Sequence, residues 1–158
     1  KNMKRLEKIP ADAIIIMNVG LHYNLATEYK IFLSKLEDSC FRNNCTAGQI
    51  IWQETAAQHF PDTKSGYFSK RKSCPRGCAK FKRSQLLNYD FRNKLANEVM
   101  QKNGIFVVPI WEVSQAAHSM HVQYNSKTGV CDCTHFCNTP YGIFRVFNAV
   151  LQSFLMSN

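Results

Sequence analysis

The sequence predicts an α/β fold built on a parallel sheet, and two features carry that reading. Short apolar runs rich in β-branched residues recur along the chain, at Asp12–Asn18 (DAIIIMN), Gln49–Gln53 (QIIWQ) and Gly104–Trp111 (GIFVVPIW). Segments with apolar residues at helical spacing lie between and after them. Continuous apolar runs of this length suit strands covered on both faces. That is the condition of a parallel sheet whose strands are joined by crossover helices.

Each element has its own local reason. Lys8 to Pro10 leads into the first run, which Asn18 closes, and Asn18-Val19-Gly20 makes a turn at that strand's carboxyl end. Asn24 to Leu36 carries Leu25, Tyr29, Phe32, Leu33 and Leu36 on one helical face. After the second strand a polar loop with Pro61, Gly66, Pro75 and Gly77 runs to about Arg83. Ser84 or Asn88 is placed to cap a helix ending near Gln101-Lys102-Asn103-Gly104. Pro109 lacks an N–H, so pairing of the third strand is expected to stop there. A loop rich in His and Cys follows. The last helix, Tyr141 to Met156, sets Ile143, Phe147, Val150, Leu151 and Phe154 on one face.

In open parallel sheets, functional residues gather beyond the carboxyl ends of the strands. Asn18-Val19-Gly20, Thr55 to His59 and Ser114 to Cys137 all follow strands, so they are expected to converge on one rim. Three strands leave two open edges, and the chain begins almost directly with a strand. Both points read as a single domain spanning residues 1–158 that is incomplete at its amino end.

Composition narrows the function classes. A length of 158 residues fits one domain, and 45% apolar with 20% charged residues excludes disorder, collagen and coiled coil as whole-chain readings. The longest apolar run, Ala13 to Met17, falls far short of the roughly 20 residues that span a bilayer. Lys1-Asn2-Met3-Lys4-Arg5 is basic, but no apolar stretch of a signal peptide follows. A net charge of +9 favours anionic partners: nucleic acid, acidic glycans or anionic lipid. Seven cysteines are many for an intracellular chain, and an odd count leaves at least one unpaired within it. Asn44-Cys45-Thr46 is a glycosylation acceptor and is compatible with a secretory route.

The densest chemistry lies in Cys131-Asp132-Cys133-Thr134-His135-Phe136-Cys137. In a turn, the Asp132 carboxylate can bind one imidazole nitrogen of His135 and leave the other as a general base. Crosslinks through the flanking cysteines would hold such a loop rigid. A zinc reading competes, with Cys131, Cys133, His135, Cys137, Cys74 and Cys78 as possible ligands. Alternate positions in an extended strand would splay those ligands apart. Lys64 to Arg83 holds eight basic residues and no acidic one, with Tyr67, Phe68 and Phe81 interleaved. That pattern fits a binding module for nucleic acid or sulfated glycan, or a solvated loop crosslinked by Cys74 and Cys78. No motif for specific nucleic-acid readout accompanies it. Asn18 can offer an amide N–H to an oxyanion, and Gly20 permits close backbone approach to a ligand. The plainer role of that turn is to connect strand to helix. His59 follows the second strand in Thr55-Ala56-Ala57-Gln58-His59-Phe60, and His118 and His121 could also titrate near neutral pH.

Taken in order, these segments resemble the carboxyl-terminal part of the trichome-birefringence-like and PC-esterase group, within the SGNH/GDSL superfamily of esterases and O-acyltransferases. Four blocks carry the likeness over about 140 residues: Asp12 to His22, Ile50 to Phe60, Gly66 to Cys74, and Asp132-Cys133-Thr134-His135-Phe136-Cys137 followed by a Pro and a final helix. The resemblance implies a three-layer SGNH-like fold and a Ser-His-Asp site. In it His135 is the general base, Asp132 its orienting acid and Asn18 the oxyanion donor. Gly20, His22 and His59 line the oxyanion and substrate side.

The resemblance further implies acyl transfer to or from carbohydrate hydroxyls, in the Golgi lumen or outside the cell. It calls for no metal or other cofactor. The expected partners are a glycan acceptor, with acidic polysaccharide among the candidates, and an acyl donor. Any membrane anchor would lie outside this chain. The group's nucleophile sits in a Gly-Asp-Ser block upstream of these motifs, and this chain contains no Gly-Asp-Ser. The chain alone is therefore expected to be inactive. Phe136 stands where the group usually has Trp, and Asn138-Thr139-Pro140-Tyr141-Gly142 replaces its Leu-Pro-Gly.

Overall fold

The structure, a computed structural model, describes residues 10, 13–41, 50–60, 77–80, 90–125, 130–139 and 141–157. It divides into two compact units, one formed by Lys1–Thr55 with Asp90–Val108, the other by Ala56–Tyr89 with Pro109–Asn158. The chain is mixed helix and strand with a parallel sheet, as the apolar runs require.

In the first unit, β1 (Ile15–Met17), β2 (Ile50–Gln53) and β3 (Phe106–Val108) form a parallel sheet in the order β1-β2-β3. Ile16 pairs with Ile51, and Ile51 with Phe106. The central strand is covered on both faces: Ile50, Ile51 and Trp52 are all buried. Two helices supply the cover on one side. α1 (Ala26–Leu36) contributes Tyr29, Leu33 and Leu36, and α2 (Phe91–Lys102) contributes Ala96 and Met100, to one core with Ile50, Trp52 and Ile105. Fully burying side chains of this size stabilises the fold by roughly 1.5–3 kcal/mol each. α1 runs on into a π-helical turn, Glu37–Phe41, which buries the disulfide-bonded Cys40.

The start of α2 differs from expectation. Ser84 and Asn88, the expected caps, lie outside the described residues, and the helix begins at Phe91. Asp90 caps it, accepting from the Arg92 N–H at 2.8 Å and pairing with the Arg92 guanidinium at 2.7 Å. Both side chains are buried, which a charge tolerates when its partner is held this closely. Gly104, at φ 66°, ends the helix in the left-handed region that glycine enters without strain. β3 is shorter than the predicted run. It stops at Val108, before Pro109, and Trp111 joins a short helix, α3 (Trp111–Gln115), instead.

The second unit corrects the expected His/Cys loop. That stretch is an antiparallel hairpin of β4 (His121–Asn125) and β5 (Val130–Phe136). His121 faces Phe136 and Gln123 faces Asp132, so two steps on β4 (121 to 123) oppose four on β5 (132 to 136). β5 therefore bulges between Asp132 and Phe136. A disulfide joins Cys78 to Cys133, and Phe60 packs with both. α4 (Ile143–Ser157) buries Ile143 and Phe147, and the Phe147 ring meets Phe136 edge-on at 6.1 Å. Among the described residues no helix is long and apolar enough to cross a membrane.

Candidate functional site

Asp132 and His135 meet in the second unit, and the bulge is why. Residues three apart on a regular strand point to opposite faces. Here the extra residues of β5 let the chain curl back on the carboxylate. Asp132 Oδ1 accepts from the backbone N–H groups of Thr134, at 3.1 Å, and His135, at 2.8 Å. Asp132 Oδ2 lies 2.8 Å from His135 Nδ1. A carboxylate only accepts, so Nδ1 carries a hydrogen, and in the neutral ring Nε2 is the nitrogen with the lone pair. Burial pushes the Asp132 carboxyl up, but the N–H of His135, its imidazole and the N–H of Thr134 outweigh that and hold it below its usual range. The carboxylate thus stays ionised wherever His135 needs it. The His135 side chain is 75% exposed. The couple presents an oriented, unspent imidazole nitrogen to solvent.

A rigid backing holds this segment. Cys133 is crosslinked to Cys78, and its carbonyl accepts from the His59 N–H at 3.0 Å. Gln58 donates its side-chain amide to the Thr134 hydroxyl at 2.7 Å. His59 itself is buried, and its ring faces His121, not solvent. Desolvation lowers its basicity, the carbonyl of Gln115 opposes that, and nearby His118 adds to the lowering. His121 is pushed down to about 4, first by burial and then by His59.

The other predicted residues belong to the first unit. Asn18 donates both amide hydrogens internally, to the Gln53 carbonyl at 2.7 Å and to the Thr55 hydroxyl at 3.1 Å. Thr55 is locked in turn by Asn93, which accepts from its N–H at 2.7 Å and donates to its carbonyl at 2.9 Å. Gly20 is buried beside it, and a Cβ there would fall 2.0 Å from Thr55 Oγ1. His22 ends the short 3-10 turn Gly20–His22 and is exposed. So Asn18 and Gly20 come together around Thr55, and an oxyanion could use the Asn18 amide only by taking a hydrogen from one of these bonds.

Cys78 and Cys133 are consumed as a disulfide, which removes two thiolates from the zinc reading. Cys137 is a free thiol, its sulfur 3.4 Å from the His121 carbonyl. Most of the basic stretch from Lys64 to Arg83, with Tyr67, Phe68, Phe81 and Cys74, lies outside the described residues, as does Asn44. Sequence reasoning left His121 without a role. Its partner His59 is 62 positions away, and no local pattern connects them. No family model, no curated protein and no solved structure matches this chain.

Proposed function

We propose that this chain supplies the base and orienting acid of a Ser-His-Asp acyl-transfer site, in an SGNH-like O-acyltransferase or esterase acting on carbohydrate hydroxyls. The observation that carries it is the Asp132–His135 couple, with Nδ1 bound at 2.8 Å and the ring open to solvent. The nucleophile is a serine of the full-length protein. Its Oγ attacks the acyl carbonyl while His135 Nε2 takes the hydroxyl proton. The protonated ring then returns that proton to the leaving alcohol, giving an acyl-enzyme. A sugar hydroxyl or water, deprotonated by the same nitrogen, then attacks the acyl carbonyl; the bond to the serine Oγ breaks and the ring returns the proton to that oxygen. Asp132 keeps the ring in the working tautomer and stabilises it while charged.

The setting is the Golgi lumen or the cell exterior. The Cys78–Cys133 crosslink and the disulfide-bonded Cys40 support an oxidising compartment. The net charge of +9 suits an acidic polysaccharide as acceptor.

The test is ester hydrolysis and acetyl transfer by the full-length protein carrying His135→Ala or Asp132→Ala. Loss of both activities in both variants, with an unchanged melting temperature in His135→Ala, supports the proposal. Wild-type rates in His135→Ala end it.

A further inference from the structure

A second imidazole couple lies beneath the first, and its hydrogen-bond arithmetic does not balance at one proton per ring. Three contacts run in line. The Gln115 carbonyl is 2.9 Å from His59 Nε2. His59 Nδ1 is 2.6 Å from His121 Nε2. His121 Nδ1 is 3.2 Å from the carbonyl of His135, the proposed base. Both ends of the line are acceptors. Three contacts need three hydrogens, and two neutral imidazoles carry two.

The distances say which contact goes without. Two bare nitrogens cannot face each other at 2.6 Å, so the inner contact holds a hydrogen. The 2.9 Å contact to Gln115 also needs one. The remaining contact is the longest, at 3.2 Å, and leaves His121 Nδ1 bare against the His135 carbonyl. Both rings then have their hydrogen on Nε2. One further proton at His121 Nδ1 completes the line and ties the couple to the backbone of His135. A second would set two N–H groups against each other at the inner contact and break it.

We propose that His59 and His121 form a one-proton couple, with His121 Nδ1 as the atom that takes the proton and the His135 carbonyl as its acceptor. This couple supports the segment under the dyad, whether or not the dyad carries out acyl transfer. The surroundings delay proton uptake. Both rings are buried, and the His121 ring stacks on Phe136 at 4.1 Å. Among the described residues, the titratable side chains that act on the couple are His118, whose ring lies 6.2 Å from that of His59, and Asp132 on β5, while His135 meets it through its backbone carbonyl. His118 opposes a charge on His121, and Asp132 favours one. The Cys137 sulfur contacts the backbone carbonyl of His121, not its ring. His59 and His121 are thus positioning residues: they set the height of the β5 bulge on the segment after β2.

The test is a pH titration of the ¹⁵N-labelled protein, with the imidazole nitrogens of its five histidines assigned individually. Near neutral pH, Nε2 of both rings should be protonated and both Nδ1 atoms bare. On acidification one proton should enter at His121 Nδ1, and both rings should shift with one common midpoint below the ordinary histidine range. His121→Gln keeps an amide N–H for His59 Nδ1 and should abolish that step. Separate midpoints for the two rings, or a protonated His121 Nδ1 at neutral pH, overturn the proposal. So does persistence of the common step in His121→Gln. Should that variant fail to fold, the wild-type titration decides alone, because it needs neither catalysis nor substitution.

Discussion

Two imidazole couples sit in one unit of this protein and differ in almost every physical respect. His59–His121 is buried, and every ring nitrogen meets a neighbour inside the fold. Asp132–His135 is bound through one nitrogen, and the His135 side chain is 75% exposed. The difference separates structure from chemistry. A group whose bonding capacity is spent internally holds other atoms in place. A group that is oriented yet has capacity left over can act on something else. Asn18 falls in the first class, with both amide hydrogens donated within its own unit.

The comparison breaks most sharply at Asp132. Asp132→Asn in the full-length protein should lower kcat by on the order of 10⁴-fold, because the ring loses its tautomer control. The same change leaves an amide oxygen to accept from the Thr134 and His135 N–H groups, so the melting temperature should fall only modestly, by the equivalent of about 1 kcal/mol. Activity assays and thermal melts on one sample check both halves. If the melt falls steeply and the rate stays high, the couple is a structural turn.

Next in size is the crosslink beneath both couples. Replacing Cys78 and Cys133 together by Ala opens a loop with a sequence separation of 55. The chain-entropy relation puts the loss at about 4 kcal/mol, readable as a shift in the urea midpoint. A change under about 1 kcal/mol would show that the hairpin needs no staple.

The buried couple should then reveal itself through pH. Its rings are harder to protonate folded than unfolded, with His121 at about 4 against an ordinary 6.5. The unfolded chain therefore binds more protons between those values, and stability rises with pH. It should be complete above about 6.5 and decline towards 4, by on the order of 3 kcal/mol for a shift of this size. Chemical denaturation at stepped pH measures it, and His121→Gln should flatten the slope. A wild-type curve as flat as the variant's counts against the buried couple.

The smallest expected effect lies in the first unit. Gly20→Ala places a methyl 2.0 Å from Thr55 Oγ1 and forces that locked side chain to move. Overpacking of this kind costs about 2 kcal/mol. Thr55→Ser leaves the same oxygen in place but can rotate it, so the double variant should recover part of the loss in a melting experiment.

How far the sequence could be read depends on the range of each interaction. Strands β1, β2 and β3 are legible because their signal is local: apolar, β-branched and short. The Asp132–His135 pair is legible because three positions separate its members. The strand around it is not, because β5 (VCDCTHF) mixes polar and sulfur-bearing residues and carries a bulge that periodicity cannot register. Ser84 and Asn88 outrank Asp90 as caps on sequence grounds, since the buried partner Arg92 is a tertiary feature. Trp111 leaves the strand because Pro109 interrupts pairing two residues earlier. The proline marks that break in the sequence, but nothing local announces the short helix beyond it. The His59–His121 contact, spanning 62 positions, had no sequence signal at all.

Which nitrogen of His135 bears hydrogen is the most direct test, and the ¹⁵N imidazole spectrum of this chain near neutral pH answers it. In the neutral ring, hydrogen on Nδ1 and a bare Nε2 is the required result, reverting towards a mixture of tautomers in Asp132→Asn. A His135 ring with its hydrogen on Nε2, unaltered by that substitution, would contradict the account.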